Sequence, residues 1–170
     1  MNKGVERATG DFVLFLNAGD SFYHPKVVSD LVRYMELPGS DILYLCHARR
    51  SSGRLLKAKG SAMKRLFSLP ACHQAILYPI EALRHERFDL RFGIASDYHH
   101  YQLISAKYRS NIVNLILVEY DTSGISTTRR DLLERDLQAV YKDLGTSHIS
   151  TPLLWMDGIY VKIRKWLKGA

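Results

Sequence analysis

Near the start of the chain, Phe12-Val13-Leu14-Phe15-Leu16 forms an unbroken apolar run between Asp11 and Asn17. A continuous run, as opposed to an alternating one, marks a strand covered on both faces, which belongs inside a sheet flanked by helices. Standing first in the sequence, such a strand must draw its neighbours from later segments. Candidates follow at residues 42–46, 72–78 (stopped by Pro79) and 112–120, and Ser51-Ser52-Gly53 reads as a hairpin turn into a strand over 55–59. Helical patterning fills the intervals. Residues 1–8 form a helix stopped near Gly10. A second spans 25–37, with Val27, Val28, Leu31, Val32 and Met35 on one face and Pro38-Gly39 ending it. Ser96 can N-cap a helix that begins at Asp97 and runs to about Lys107. Two further helices close the chain, over 129–144 and 153–167. Strands and helices mixed in this way give an α/β class.

At 170 residues, 46% hydrophobic and 24% charged, the chain has the size of one domain and the composition of a folded one. Its apolar runs fall short of the roughly 18 residues a membrane-spanning helix needs. The first seven residues are not followed by the apolar segment of a secretory leader, and two cysteines, Cys46 and Cys72, suit a reducing compartment. A cytoplasmic location is the expectation. The net charge of +7 points to an anionic partner: nucleic acid, an acidic membrane surface or a phosphate-bearing substrate. Dispersed basic residues with no recognised binding motif set nucleic acid aside.

Several residues can carry chemistry. Asn17-Ala18-Gly19-Asp20-Ser21 is turn chemistry past the C-terminal end of a strand, the edge where open α/β sheets bind ligands. Asp20 can coordinate a hard divalent cation bridging two phosphates, or can bond its own turn. Asp97 can serve as a general base, or as a helix-start carboxylate complementing the dipole. His73 and Gln74 can contact a ligand, or be satisfied core groups. His99 and His100 invite a metal reading that adjacent helix positions do not favour.

As an ordered set, these residues resemble a known family. Met1-Asn2-Lys3-Gly4, Ala8-Thr9-Gly10-Asp11 and Phe15-Leu16-Asn17-Ala18-Gly19-Asp20 are similar to the middle of family 2 glycosyltransferases of the GT-A fold. Leu69-Pro70-Ala71-Cys72-His73-Gln74-Ala75, Phe88-Asp89, Ile94-Ala95-Ser96-Asp97-Tyr98 and Ser123-Gly124-Ile125-Ser126-Thr127-Thr128 continue the match in order. The nearest likeness is to the bacterial colanic-acid type. The resemblance implies a hexosyltransferase that moves a sugar from a nucleotide-sugar donor to a lipid-linked exopolysaccharide intermediate by an inverting mechanism. Asp97 then stands for the base, and Asp20 for the ligand of a divalent cation (Mn2+ or Mg2+). Asn17 and Gly19 occupy cofactor-site positions where many relatives carry further carboxylates. His73, Gln74, Ser96, Gly124 and Ser126 stand for substrate contacts, the last two in a loop that closes over the cleft.

The resemblance enters the family pattern partway, since nothing here corresponds to the nucleotide-binding half with which relatives begin. The expectation is therefore a partial GT-A domain over 1–150 and a basic amphipathic helix over 151–170. In that helix Leu153, Trp155, Tyr160, Ile163 and Trp166 recur beside Lys162, Arg164, Lys165 and Lys168. This pattern suits either peripheral contact with an anionic membrane or an ordinary packed helix. An open sheet edge would also favour homo-oligomers. The competing function is a non-catalytic module that binds a protein partner or an anionic surface.

Overall fold

The computed structural model describes residues 1–35, 42–50, 55–56 and 69–146. Helix α1 (Asn2–Arg7) leads into the short strands β1 (Phe12–Val13) and β2 (Ser21–Phe22), helix α2 (Val27–Met35), the long strand β3 (Ile42–Arg49) and β4 (Leu55–Leu56). A 3-10 turn (His73–Ala75) runs into β5 (Ile76–Pro79) and helix α3 (Ile80–His85). A second 3-10 segment (Leu90–Ala95) feeds α4 (Ser96–Ser105), followed by β6 (Ser110–Tyr120), the single-turn α5 (Ile125–Thr128) and α6 (Arg130–Asp143). The turn read at Ser51-Ser52-Gly53, most of the strand at 55–59 and the helix at 153–167 lie outside the described residues.

The strands form one mixed sheet in the order β1-β5-β3-β6-β2, with β4 attached to β3. Only β3 and β6 run parallel; the other pairs are antiparallel. The strand buried on both faces is β3, where Ile42 to Cys46 are each at most 3% exposed. Its unbroken apolar run is what such a position requires. Opposite it β6 bulges: Leu45 pairs with Val113, but Cys46 pairs with Ile116. Helices α2, α4 and α6 contribute Val27, Leu31, Tyr98, Tyr101, Ile104, Val140 and Tyr141 to the same core.

Three expectations are corrected. The run at 12–16 is not a doubly buried interior strand: Phe12 to Phe15 are half-buried, Leu16 is 41% exposed, and β1 ends the sheet order. Its ladder stops early because Phe12 pairs with Pro79, which has no amide hydrogen, and the Ile80 amide bonds the Asp11 carbonyl instead. The strand at 72–78 begins only at Ile76, since the Ala75 amide turns back onto the Cys72 carbonyl at 2.8 Å. Ser96 does not cap α4. It is already helical, Ala95 holds the cap position, and the Asp97 carboxylate accepts the Tyr98 amide.

Candidate active site

A cleft of about 570 Å³ opens beside the C-terminal end of β1. It gathers Asn17, His73, Gln74, Ser96, Asp97 and Ser126 from four separate stretches of sequence. Asn17 follows β1, and His73 and Gln74 come from the 3-10 turn before β5. Ser96 and Asp97 open α4, and Ser126 sits in α5. Helix α6 closes the remaining wall with Arg130, Leu133, Glu134 and Leu137, which share one helical face by their spacing.

Two long-range clips deliver Asp97. The Asn2 side chain donates to the Phe88 carbonyl at 2.8 Å and accepts the Phe88 amide at 3.1 Å, fixing the segment that leads toward α4. Further along, Gly93 turns with φ +48°, and a Cβ there would stand 2.3 Å from Oδ2 of Asp136. That oxygen accepts the Ile94 amide at 3.0 Å, so a buried carboxylate on α6 pins the kink that starts α4. Burial alone would raise the Asp136 pKa. The Arg135 guanidinium, at 2.8 Å, and the Ile94 amide outweigh it and hold the carboxyl below its ordinary value.

Asp97 itself is half-buried in the wall. Desolvation pushes its carboxyl up to about 6, with the Tyr98 amide, 2.7 Å from Oδ1, pulling the other way. A carboxylate poised there can take and return a proton near neutrality. His73 is nearly buried, stacked on Phe15 at 5.2 Å, with the Tyr78 hydroxyl 3.2 Å from Nδ1. Burial, and then the charge of His100, lower its pKa to about 4, so the ring is neutral at pH 7. The Cys72 thiol is pushed up to about 12, chiefly by burial, which removes it as a nucleophile.

Gly19, Asp20 and Gly124 do not line the cleft. Asp20 is close enough for its charge to act on Cys72, which does. Its Oδ1 accepts the Asp121 amide at 2.7 Å. Gly19, at φ +94°, leaves room for the Asp121 carboxylate, whose Oδ2 would lie 3.1 Å from an added Cβ. Arg50 holds this turn from the end of β3, donating to the Gly19 carbonyl and, at 2.8 Å, to Ser21 Oγ. Gly124 caps α5, its carbonyl accepting the amides of Thr127 and Thr128. No cluster of three or more His, Cys, Asp or Glu side chains able to hold a metal occurs among the described residues.

His99 and His100 diverge. His99 Nε2 meets Asp143 at 3.3 Å and the ring packs on Phe92, whereas His100 Nε2 donates to the Glu86 carbonyl at 2.8 Å and stacks on Phe88. They build the core and share no ligand site. Sequence reasoning missed the α6 wall and Arg50. The i, i+3, i+4, i+7 spacing of Arg130, Leu133, Glu134 and Leu137 was visible, but nothing local said which way that face points. Arg50 meets the turn 29 to 31 residues away in sequence and Glu119 69 residues away.

Comparison with known proteins bears on the family and the fold. The family model described as glycosyl transferase family 2 matches residues 1–135. A PGL/p-HBAD biosynthesis glycosyltransferase of Mycobacterium bovis is 35% identical over 79 residues, which cover 46% of this chain and 31% of that protein. An uncharacterized glycosyltransferase of Mycobacterium tuberculosis is 27% identical over 152 residues, covering 85% of this chain and 55% of the relative. The chain thus spans only a third to about half the length of these relatives. Among solved structures, S. aureus TarS 1-349 superposes with a TM-score of 0.59 at 14% identity, over 82% of this chain and 42% of its own. Its complex with UDP-GlcNAc gives a TM-score of 0.60 at 13% identity, over 82% and 44%. At that identity the likeness speaks for the fold, which is the GT-A architecture. With the family model spanning most of its length, the chain belongs to glycosyl transferase family 2.

Proposed function

We propose that the chain carries the acceptor-facing part of an inverting hexosyltransferase, with a nucleotide sugar as donor and a lipid-linked saccharide of the colanic-acid or exopolysaccharide kind as acceptor. The observation that carries this reading is Asp97: a half-buried carboxylate, raised to about 6, in the wall of the cleft that also gathers His73, Gln74, Ser96 and Ser126. In the transfer step the acceptor hydroxyl oxygen forms a bond to the anomeric carbon while the bond from that carbon to the diphosphate breaks. The hydroxyl proton passes to Asp97 and the nucleoside diphosphate leaves. Attack opposite the leaving group inverts the centre. His73, Gln74 and Ser96 orient the sugar, and the Gly124 to Ser126 turn covers it. Support for the donor comes from the UDP-GlcNAc complex of the TarS neighbour.

The turn at Asp20 suits a hard cation. It presents a carboxylate with one oxygen anchored by a backbone amide and a second carboxylate beside a side-chain-free Gly19. When bound there by Asp20, Mn2+ or Mg2+ would neutralise charge on the departing diphosphate. The Asn17 carbonyl accepts the Asp20 amide at 3.1 Å, and Gly19 adds no side chain beside it. A cytoplasmic location, peripheral contact of the basic C-terminal stretch with an anionic membrane, and pairing of copies through the β1 edge belong to the same proposal. In support, β1 ends the sheet order and Leu16 beside it is 41% exposed.

The test is substitution. Asp97→Asn should lower turnover by roughly a hundredfold or more with donor binding retained. Asp20→Ala should weaken cation-dependent donor binding. Normal turnover by Asp97→Asn removes that residue from the chemistry.

A further inference from the structure

His73 is held by Phe15 stacked at 5.2 Å, by Phe88 edge-on at 5.7 Å and by the Tyr78 hydroxyl 3.2 Å from Nδ1. Its Nε2 is buried and has no partner among the described residues. Tyr78 is fully buried and does not line the cleft, and the contact with Nδ1 is the hydrogen bond that the structure gives its hydroxyl. Two proton arrangements are open to the pair. If Nδ1 carried the hydrogen and donated to the phenol oxygen, the phenol's own hydrogen would be buried with no acceptor, a costly omission. If the phenol donates to Nδ1, that hydrogen is satisfied and the imidazole's single proton sits on Nε2. Burial and the neighbouring His100 keep the ring from gaining a second proton at neutral pH.

Resting on the transferase reading above, we propose that Tyr78 is a positioning residue. It fixes His73 as the Nε2–H tautomer, so that the cleft wall offers a neutral hydrogen-bond donor to a hydroxyl oxygen of the bound sugar. An uncharged donor matches a hydroxyl; an anionic phosphate is better met by a cation. Ser96 supports the same ligand chemistry, because its hydroxyl is also buried in this wall without a partner among the described residues. The charge of Asp97 acts on Tyr78, which places the pair within electrostatic reach of the base. His73 therefore orients the sugar and takes no part in proton transfer.

Nitrogen NMR of the 15N-labelled full chain at pH 7.5 reads the tautomer directly, with the transferase reaction playing no part. The wild type should show the Nε2-protonated form, and titration with UDP-N-acetylglucosamine into the millimolar range should shift Nε2. Tyr78→Phe should keep its fold by circular dichroism, lose the single tautomer, and bind the sugar nucleotide about three- to tenfold more weakly. His73→Phe preserves the ring stacking and should weaken binding at least as much, which separates the effect from lost packing. An Nδ1-protonated wild type, an unchanged tautomer in Tyr78→Phe, or sugar-nucleotide binding that shifts other resonances and leaves His73 unmoved each overturns the proposal. Failure of the transferase reading shows elsewhere, as undiminished transfer by Asp97→Asn.

Discussion

At the scale of single residues, Asp97 couples stability to chemistry in opposite senses. Its pKa rises from 3.8 to about 6 on folding, so between those values the folded state holds more protons than the unfolded one. The stability lost to this group therefore grows as pH rises through that window and is full above about 6. Asp97→Asn removes the loss and should stabilise the protein at pH 7 by roughly 1–3 kcal/mol, a gain that vanishes near pH 3.5. Urea melts of both forms at the two pH values check this, and equal stability at pH 7 would mean the carboxyl is not raised. Gly93 marks the converse case. Gly93→Ala places a Cβ against the Asp136 carboxylate at a positive φ, and should cost about 2–4 kcal/mol while loosening the start of α4. A melt showing no change would remove the Asp136 pin from the account. None of this was legible at Gly93, because the partner that forbids a side chain lies on α6, far along the sequence.

Among the elements, those whose burial is settled locally were the readable ones. Residues 42–46 read as a strand and became the centre of the sheet, since a continuous apolar run fits a position covered on both faces. The run at 12–16 has the same pattern yet forms an edge, because pattern reports how apolar a segment is and not how many neighbours it finds. The 3-10 turn at His73–Ala75 was read as strand. Its residues are buried as a strand's would be, but the backbone closes a turn just before the ladder begins. Helix α1 was legible from its stop signal, while its role was not. Asn2→Ala strips both hydrogen bonds from the Phe88 backbone and should cost about 1–3 kcal/mol. Hydrogen exchange should then quicken at Phe88 and into α4. Exchange confined to α1 itself would show that the clip does not support the site.

For the whole molecule, the ordered motifs from Met1 to Thr128 identified the family even though no single one of them could, and the sheet brings six of the anticipated site residues to one cleft. What stayed hidden was the α6 wall and the turn clamp at Arg50, both made by contacts between distant segments. Acid should unfold the protein for a reason spread across it. His47, His73 and His100 are each lowered to about 4, with burial the first cause in every case, so the unfolded state binds protons that the folded state refuses. This stabilising contribution is complete above about pH 6.5 and is lost as pH falls toward 4, by about 3 kcal/mol for each of the buried His73 and His100 and by less for the more exposed His47. Denaturation at pH 7.5 and pH 5 should show a loss of several kcal/mol, and equal midpoints would mean the rings are not excluded from charge. Asp97 opposes the trend without cancelling three histidines. Whether Asp97 is the base of a sugar transfer is read from the pH dependence of kcat/KM for hexose transfer from a nucleotide sugar to a lipid-linked acceptor. The rate should climb with pH to a plateau above a midpoint near 6, and an Asp97→Asn variant should be at least a hundredfold slower and lack that limb. The same limb in Asp97→Asn, or a wild-type rate flat across pH 5 to 7, would contradict it.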